Sequence, residues 1–369
     1  MNLGLIHKLA VCGFLTVATV STPNLNAQYL TLEGQTGGFI TPTAYVVYME
    51  KGQAFSHPAI AFHYIDSTKV IGNIQTFSIT EAFYSRAEVG YTRNVHQFGD
   101  SGSGAVVMAN AVLGSTSSAT AVPVKPDFSS LWNFNGMNIV HGKVVVFSDG
   151  QFGPWMPGVA VGGVVRINDR FVSGAAYREG VELYDQYCLE TELCAPEAVP
   201  SVKSYTNGDI YVAVTKTWAK KPVPFLANFG WKATNASIFG LGGQSNRFVG
   251  RLFGGLGIPL PITHGIVAVP SAGFTQQPPT VKNLGPSPPA GIPLTAGKTD
   301  IPTTLDYAVR FTQIEKPHFA FDIGVGQVAG QIGSVPSLTY LPAPYPAVVY
   351  VPVNLQARHV VAMGISYRY

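Results

Sequence analysis

Charge is scarce in this 369-residue chain: Asp, Glu, Lys and Arg together make up 12% of it, about half the share of a soluble globular protein. That argues against a large water-facing surface of the ordinary kind. Cysteine is nearly absent, at three residues. No apolar run beyond the first residues approaches the roughly 18 needed for a membrane-spanning helix, so entry into a membrane would have to use strands. The net charge of +3 comes without any Lys/Arg-rich run, which excludes a grip on a nucleic-acid backbone. Catalytic signatures are missing too. There is no Gly-x-Ser-x-Gly elbow and no His-Glu-x-x-His pair, and Gly240-Leu241-Gly242-Gly243 does not make a dinucleotide fingerprint. His63, His141 and His264 fall on expected strands without a Ser or Asp partner nearby in the chain. They read as interior polar residues, and the expectation is of a protein that is not an enzyme and has no metal or cofactor. A hydrolase with partners brought together across a lumen is the minor alternative.

What the chain does have is apolar and aromatic material: 46% hydrophobic residues, with 21 Phe, 17 Tyr and 40 Gly. Residues 1–27 read as a secretory signal. Lys8 gives the positive start, Leu9 to Val20 an apolar stretch of 12 residues, and Asn24-Leu25-Asn26-Ala27 a cleavage site before Gln28. Cys12 follows Lys8 too closely for the layout of a lipoprotein signal. Beyond the signal, Cys188 and Cys194 have five residues between them in a polar segment. In an oxidising compartment they read as a loop disulfide, with free thiols as the alternative; a metal site lacks further ligands nearby.

Alternation of apolar and polar residues recurs through the remainder. Leu305, Tyr307, Val309 and Phe311 oppose Asp306, Ala308, Arg310 and Thr312; Phe319, Phe321, Ile323 and Val325 oppose Ala320, Asp322, Gly324 and Gly326. Strands are expected at 58–64, 71–79, 86–93, 137–149, 158–168, 209–218, 224–233, 248–258, 264–275, 303–313, 319–330 and 358–369. Alternation alone also suits a soluble sandwich. The connections discriminate, because with the C-terminus on the periplasmic side 80–85, 150–157, 219–223, 259–263 and 314–318 become short periplasmic turns. Outside lie 65–70, 94–136, 169–208, 234–247, 276–302 and 331–357, all long but the first, several of them rich in Pro, Gly or Ser. That arrangement is the one of an all-β transmembrane antiparallel barrel over residues 58–369, with about 12 strands (10–14) and a bacterial outer-membrane location. Residues 28–57 precede it on the periplasmic side. Gly37-Gly38-Phe39-Ile40-Thr41-Pro42 within them is too apolar to hang free, and reads as a lumen plug or as an extra strand or strand pair.

The chain ends on Val361-Ala362-Met363-Gly364-Ile365-Ser366-Tyr367-Arg368-Tyr369. Gly364, Tyr367 and Tyr369 resemble the terminal signal read by bacterial barrel-assembly machinery, although that signal most often ends in Phe. Three segments, in order, resemble a specific bacterial family, the one catalogued as domain of unknown function 3034. They are Gly37-Gly38-Phe39-Ile40-Thr41-Pro42, Trp155-Met156-Pro157-Gly158-Val159-Ala160-Val161-Gly162, and Lys232-Ala233-Thr234-Asn235-Ala236-Ser237-Ile238-Phe239-Gly240-Leu241-Gly242-Gly243. The long Pro-rich outer loops exceed that family's pattern. The resemblance implies a cell-envelope location and no activity.

On the polar strand faces, Lys143, Arg166, Lys232, Arg310, Arg358 and Arg368 outnumber Glu88, Asp306 and Asp322. Water in such a lumen would see a mildly positive potential; alternatively, these charges pair and hold the barrel shut. The leading expectation is a porin-like narrow pore or solute-uptake channel. Its partners would be outer-membrane lipid, the assembly machinery and a small solute. The runner-up is a non-transporting envelope protein whose outer loops bind a surface partner or polysaccharide.

Overall fold

Inside hydrocarbon every backbone group must find a partner within the protein, and a closed ring of strands supplies one at each position. The computed structural model describes residues 29–50, 52–67, 72–97, 136–169, 205–219, 224–236, 244–263, 265–278, 303–313, 318–329, 334–340, 346–352 and 360–368. Among them there is no helix. Two short strands come first, β1 (Tyr29–Leu30) and β2 (Thr36–Gly37). They are followed by β3 (Ala59–Ser67), β4 (Gly72–Phe83), β5 (Ala87–Gln97), β6 (Gly136–Phe147), β7 (Gly158–Asp169), β8 (Tyr205–Trp218), β9 (Phe225–Ala236) and β10 (Gln244–Gly257). Then come β11 (Leu260–Thr263), β12 (Ile266–Gln276), β13 (Thr303–Gln313), β14 (Phe319–Ala329), β15 (Ser334–Tyr340), β16 (Pro346–Pro352) and β17 (Val360–Arg368).

Twelve of these form a closed antiparallel barrel. From β3 to β10 each strand pairs with the next; β10 pairs with β12, then β12 with β13 and β13 with β14. β14 pairs with β17, and β17 closes the ring on β3, with Val361 opposite Asp66 and Arg368 opposite Ala59. The ends of β4 and β5, β6 and β7, β8 and β9, and β13 and β14 that short connections join lie at the rim of the C-terminus; the strand ends on either side of 98–135, 170–204, 277–302 and 330–359 lie at the opposite rim.

Three details depart from the sequence expectation. The outer connection placed at 234–247 shrinks to 237–243, because β9 runs on to Ala236 and β10 begins at Gln244, absorbing the surplus in a register shift before Val249. The turn at 259–263 is no bare turn, since β11 folds back on the start of β12. Within 331–357, read as irregular, β15 and β16 form a separate hairpin. Prolines at 336, 346 and 352 are tolerated there because a two-stranded ribbon is all edge.

Side-chain direction follows the pleat. On β17, Val361, Met363, Ile365 and Tyr367 are exposed outward while Ala362, Gly364, Ser366 and Arg368 are buried inward. Outward-facing Ile60, Phe77, Ile79, Val144, Val161, Ile210, Phe229, Trp231, Tyr307 and Ile323 continue an exposed apolar band round the barrel. Such a patch far exceeds what a water-soluble monomer shows. Near the short-turn rim Tyr84, Phe152 and Trp155 are exposed, and Trp218 stacks on Phe225 with centroids 4.3 Å apart. Aromatic rings at that level suit the boundary between lipid and water.

Candidate functional site: the occupied lumen

Residues 29–50 lie among the inward-facing side chains. The segment doubles back on itself through β1 and β2. Thr31 N–H donates to Gln35 O (2.7 Å), Gly38 N–H to Thr41 O (2.9 Å) and Thr43 N–H to Thr36 O (3.1 Å). Gly34, with φ +83°, makes the first turn, and a Cβ there would strike Thr92 Oγ1 at 2.3 Å. At Gly37 a Cβ would lie 2.2 Å from Thr41 O, so this second turn closes only on glycine.

Four charged groupings join this segment to the wall or the wall to itself. Arg166 on β7 grips both oxygens of Glu33, Nε–Oε1 at 2.6 Å and Nη2–Oε2 at 2.8 Å, and also meets Asp209 Oδ2 at 2.9 Å. Lys232 stands 3.5 Å from the same Asp209 oxygen. Lys143 on β6 pairs with Glu88 on β5 at 3.0 Å and donates to Thr36 O and Thr43 O; Glu88 in turn accepts from Thr36 N–H and Oγ1. Arg310 on β13 pairs with Asp322 on β14 at 2.5 Å, donates to Gly37 O at 3.1 Å and lies over the ring of Tyr29. Near the short-turn rim Lys216 meets Asp149 at 2.5 Å, and the Tyr45 hydroxyl donates to Asp149 Oδ2 at 2.8 Å. Burial pushes the Tyr45 phenol above its ordinary range, so it stays a donor.

Uncharged bonds add to these. Thr80 donates to Gly34 O, Thr92 to Glu33 O and Asn228 Nδ2 to Pro42 O, while Thr215 Oγ1 accepts from Ala44 N–H. Tyr29 also contacts Thr312 through its hydroxyl. Arg368 is buried and lies over the Tyr48 ring at 4.6 Å.

The structure therefore sets Glu88, Lys143, Arg166, Lys232, Arg310 and Asp322 in ion pairs within the lumen. Asp306 stands apart from them, and Arg368 meets a ring. Gly364 is inward and Tyr367 outward. Arg358, Tyr369, Cys188, Cys194 and His264 lie outside the described residues, as does the segment 1–27. The reading of a mildly basic interior left out Glu33, Asp149 and Asp209, which pair with Arg166, Lys216 and Lys232. Asp209 was findable, since it opens an alternation in which Tyr211, Ala213 and Thr215 share its face; Glu33 and Asp149 sit outside regular strands, where no period marks them. His63 and His141 are buried, against Thr76 and Thr80 hydroxyls rather than an Asp–Ser pair. Among the described residues no cluster of metal-ligating side chains occurs.

On the side of β9, β10, β12 and β13 the filling is incomplete. A cavity of about 110 Å³ remains between Phe39, Thr41 and Tyr45 of the N-terminal segment and the wall at Leu226, Gly255, Ser271 and Asp306. It extends towards the short-turn rim at Pro259 and Gln313. The wall is thin there because Gly255, Gly257, Ser271, Gly273 and Ala308 supply little side chain.

The class of protein is thus an all-β closed barrel of outer-membrane type. Among solved structures, a NanC porin is similar over 85% of this chain and 100% of its own, at 11% identity and a TM-score of 0.39. The translocator domain of autotransporter NalP from Neisseria meningitidis is similar over 87% of this chain and 90% of its own (8% identity, TM-score 0.31). OmpT, an outer membrane protein of Vibrio cholerae, is similar over 88% of this chain and 100% of its own (8% identity, TM-score 0.28). At those scores the likeness carries no argument by itself; the barrel rests on its closed ring of strand pairs. No family model and no curated protein matches the chain.

Proposed function

We propose that this chain is an outer-membrane barrel closed by its own residues 28–57, and that it passes small solutes when that segment shifts. The observation that carries the reading is the uneven attachment of the segment. It is bonded to β4–β9, β13 and β14, yet borders a cavity along β10 and β12. Release along that side needs fewer broken bonds than release elsewhere. Most interior charges are held in pairs, which weakens the ground for an anion preference, so selectivity would be by size. Planar-bilayer recording of the refolded chain tests this. Small but measurable conductance is expected from the intact chain, and a marked increase after deletion of 28–57, with heat-modifiable gel migration confirming that the barrel still forms. A correctly folded deletion variant that does not conduct overturns the reading.

The bidentate Arg166–Glu33 grip favours a second reading, in which the segment never leaves and the long outer loops bind a surface partner or polysaccharide. Tethering Gly38→Cys to Ala308→Cys by a short cross-linker separates the two. Conductance of the uncross-linked form that vanishes on tethering supports the channel; silence in both states supports the closed barrel.

A further inference from the structure

Asp306 is the one acid of the interior cluster described above that meets no base. It is 3% exposed, and its Oδ1 has no hydrogen-bond partner among the described residues. Its cross-strand neighbours on both sides are glycines, Gly273 and Gly326, so neither adjacent strand offers a side chain to it. A Cβ on Gly273 would lie 2.4 Å from Oδ1, which shows the carboxylate leaning over that glycine. The nearest base along its own strand face, Arg310, is committed to Asp322 and to Gly37 O. Other acids of the interior cluster have an arginine or lysine within reach; here a buried carboxylate borders open space instead.

That space is the 110 Å³ cavity. An empty cavity of about 150 Å³ lined by apolar side chains takes up a molecule the size of benzene, so one small ring or short alkyl body is the scale here. Phe39, Leu226, Val267 and Val269 give it apolar walls; Asp306 lines it too, as does the Arg310–Asp322 pair, whose charges offset each other. Among the described residues no cluster of metal-ligating side chains occurs here, as a hard divalent metal would need. We propose that this cavity is a binding site for a small organic cation, an ammonium group on an apolar body, with Asp306 as its counter-charge. The carboxylate holds the ammonium by a charge-assisted hydrogen bond, and the apolar body replaces the void beside Phe39. The site does not depend on conduction, so a silent bilayer recording leaves it standing.

Calorimetric titration of the refolded full chain in a non-ionic maltoside decides it, with benzylammonium as probe and benzyl alcohol as its uncharged counterpart. Saturable benzylammonium binding is expected, with benzyl alcohol at least about tenfold weaker. Asp306→Asn should bring benzylammonium down to the alcohol's level and leave the alcohol unchanged. Ser271→Phe, filling the cavity from the β12 wall, should abolish both. If Asp306→Asn does not reach the heat-modifiable folded form, the wild-type charge comparison and Ser271→Phe carry the decision. No saturable binding to the wild-type chain, equal affinity for the two probes, or undiminished binding in either folded variant overturns the proposal.

Discussion

The wall of the lumen treats the N-terminal segment differently on its two sides. From β4 to β8 it presents Thr80, Glu88, Thr92, Lys143, Arg166 and Thr215, each in a hydrogen bond or ion pair with residues 33–44. From β10 to β12 it presents Gly255, Gly257, Ser271 and Gly273, and a cavity takes the place of bonds. Two inward glycines differ as well. On the first side rings cover Gly90 and Gly162: His141 lies over Gly90 and Tyr211 over Gly162, where an added Cβ would stand 2.3 and 2.4 Å from ring or hydroxyl atoms. On the second side, Gly257 would meet nothing nearer than Val269 Cγ1 at 3.4 Å. One side fastens the segment and the other leaves it room, a division that a uniformly packed lumen would not show.

Removing the strongest fastening gives the largest effect. Arg166→Ala strands Glu33 and Asp209 as buried carboxylates, with Lys232 standing 3.5 Å from an Asp209 oxygen. Breaking a buried ion pair from one partner costs about 3–5 kcal/mol. Guanidinium unfolding in maltoside micelles, followed by tryptophan fluorescence, should show that loss. The same variant should also raise conductance, and an unfolding midpoint matching that of the wild type would deny the fastening role.

Gly162→Ala comes next. The new methyl group must displace the Tyr211 ring, which itself packs edge-on against Phe253 with centroids 6.2 Å apart. Overpacking of this kind costs about 1–3 kcal/mol, and the same unfolding experiment measures it. Thr215→Val is milder. It removes the acceptor for Ala44 N–H and the donor to Asn228 Oδ1, worth about 0.5–1.5 kcal/mol each in net terms. Protease nicking within 38–45 is the sensitive readout, since this change loosens the segment without altering the strands.

The two sides were unequally legible in the sequence. Strand positions could be read because a residue facing lipid must be apolar and the next one need not be, which stamps a period of two on every crossing. The closing strand β17, with Met363, Ile365 and Tyr367 outward, is the plainest case. The fastened side was half legible. Lys143, Arg166 and Glu88 stand on polar faces, but their partner segment carries no period, so Glu33 could not be matched to Arg166 without the fold. The open side was not legible at all, because glycine and alanine on a strand face look the same whether a ring covers them or a void does. The unopposed position of Asp306 follows only from register, which puts Gly273 and Gly326 beside it.

The smallest effect is the sharpest check on that contrast, because it repeats one chemical change on the other side. Gly257→Ala adds the same methyl group as Gly162→Ala, on an equally inward position of β10. The nearest atoms, Val269 Cγ1 at 3.4 Å and Ser271 Cβ at 3.9 Å, are at ordinary contact distance. Relief of backbone freedom in the unfolded chain works in the opposite direction, by roughly 0.4–1 kcal/mol in favour of alanine. The net change should therefore lie within about 0.5 kcal/mol of zero, against a loss several times larger at Gly162. If the two substitutions prove equally harmful, the room beside β10 is absent in the folded protein. The asymmetry that both the gating and the cation site rely on would go with it.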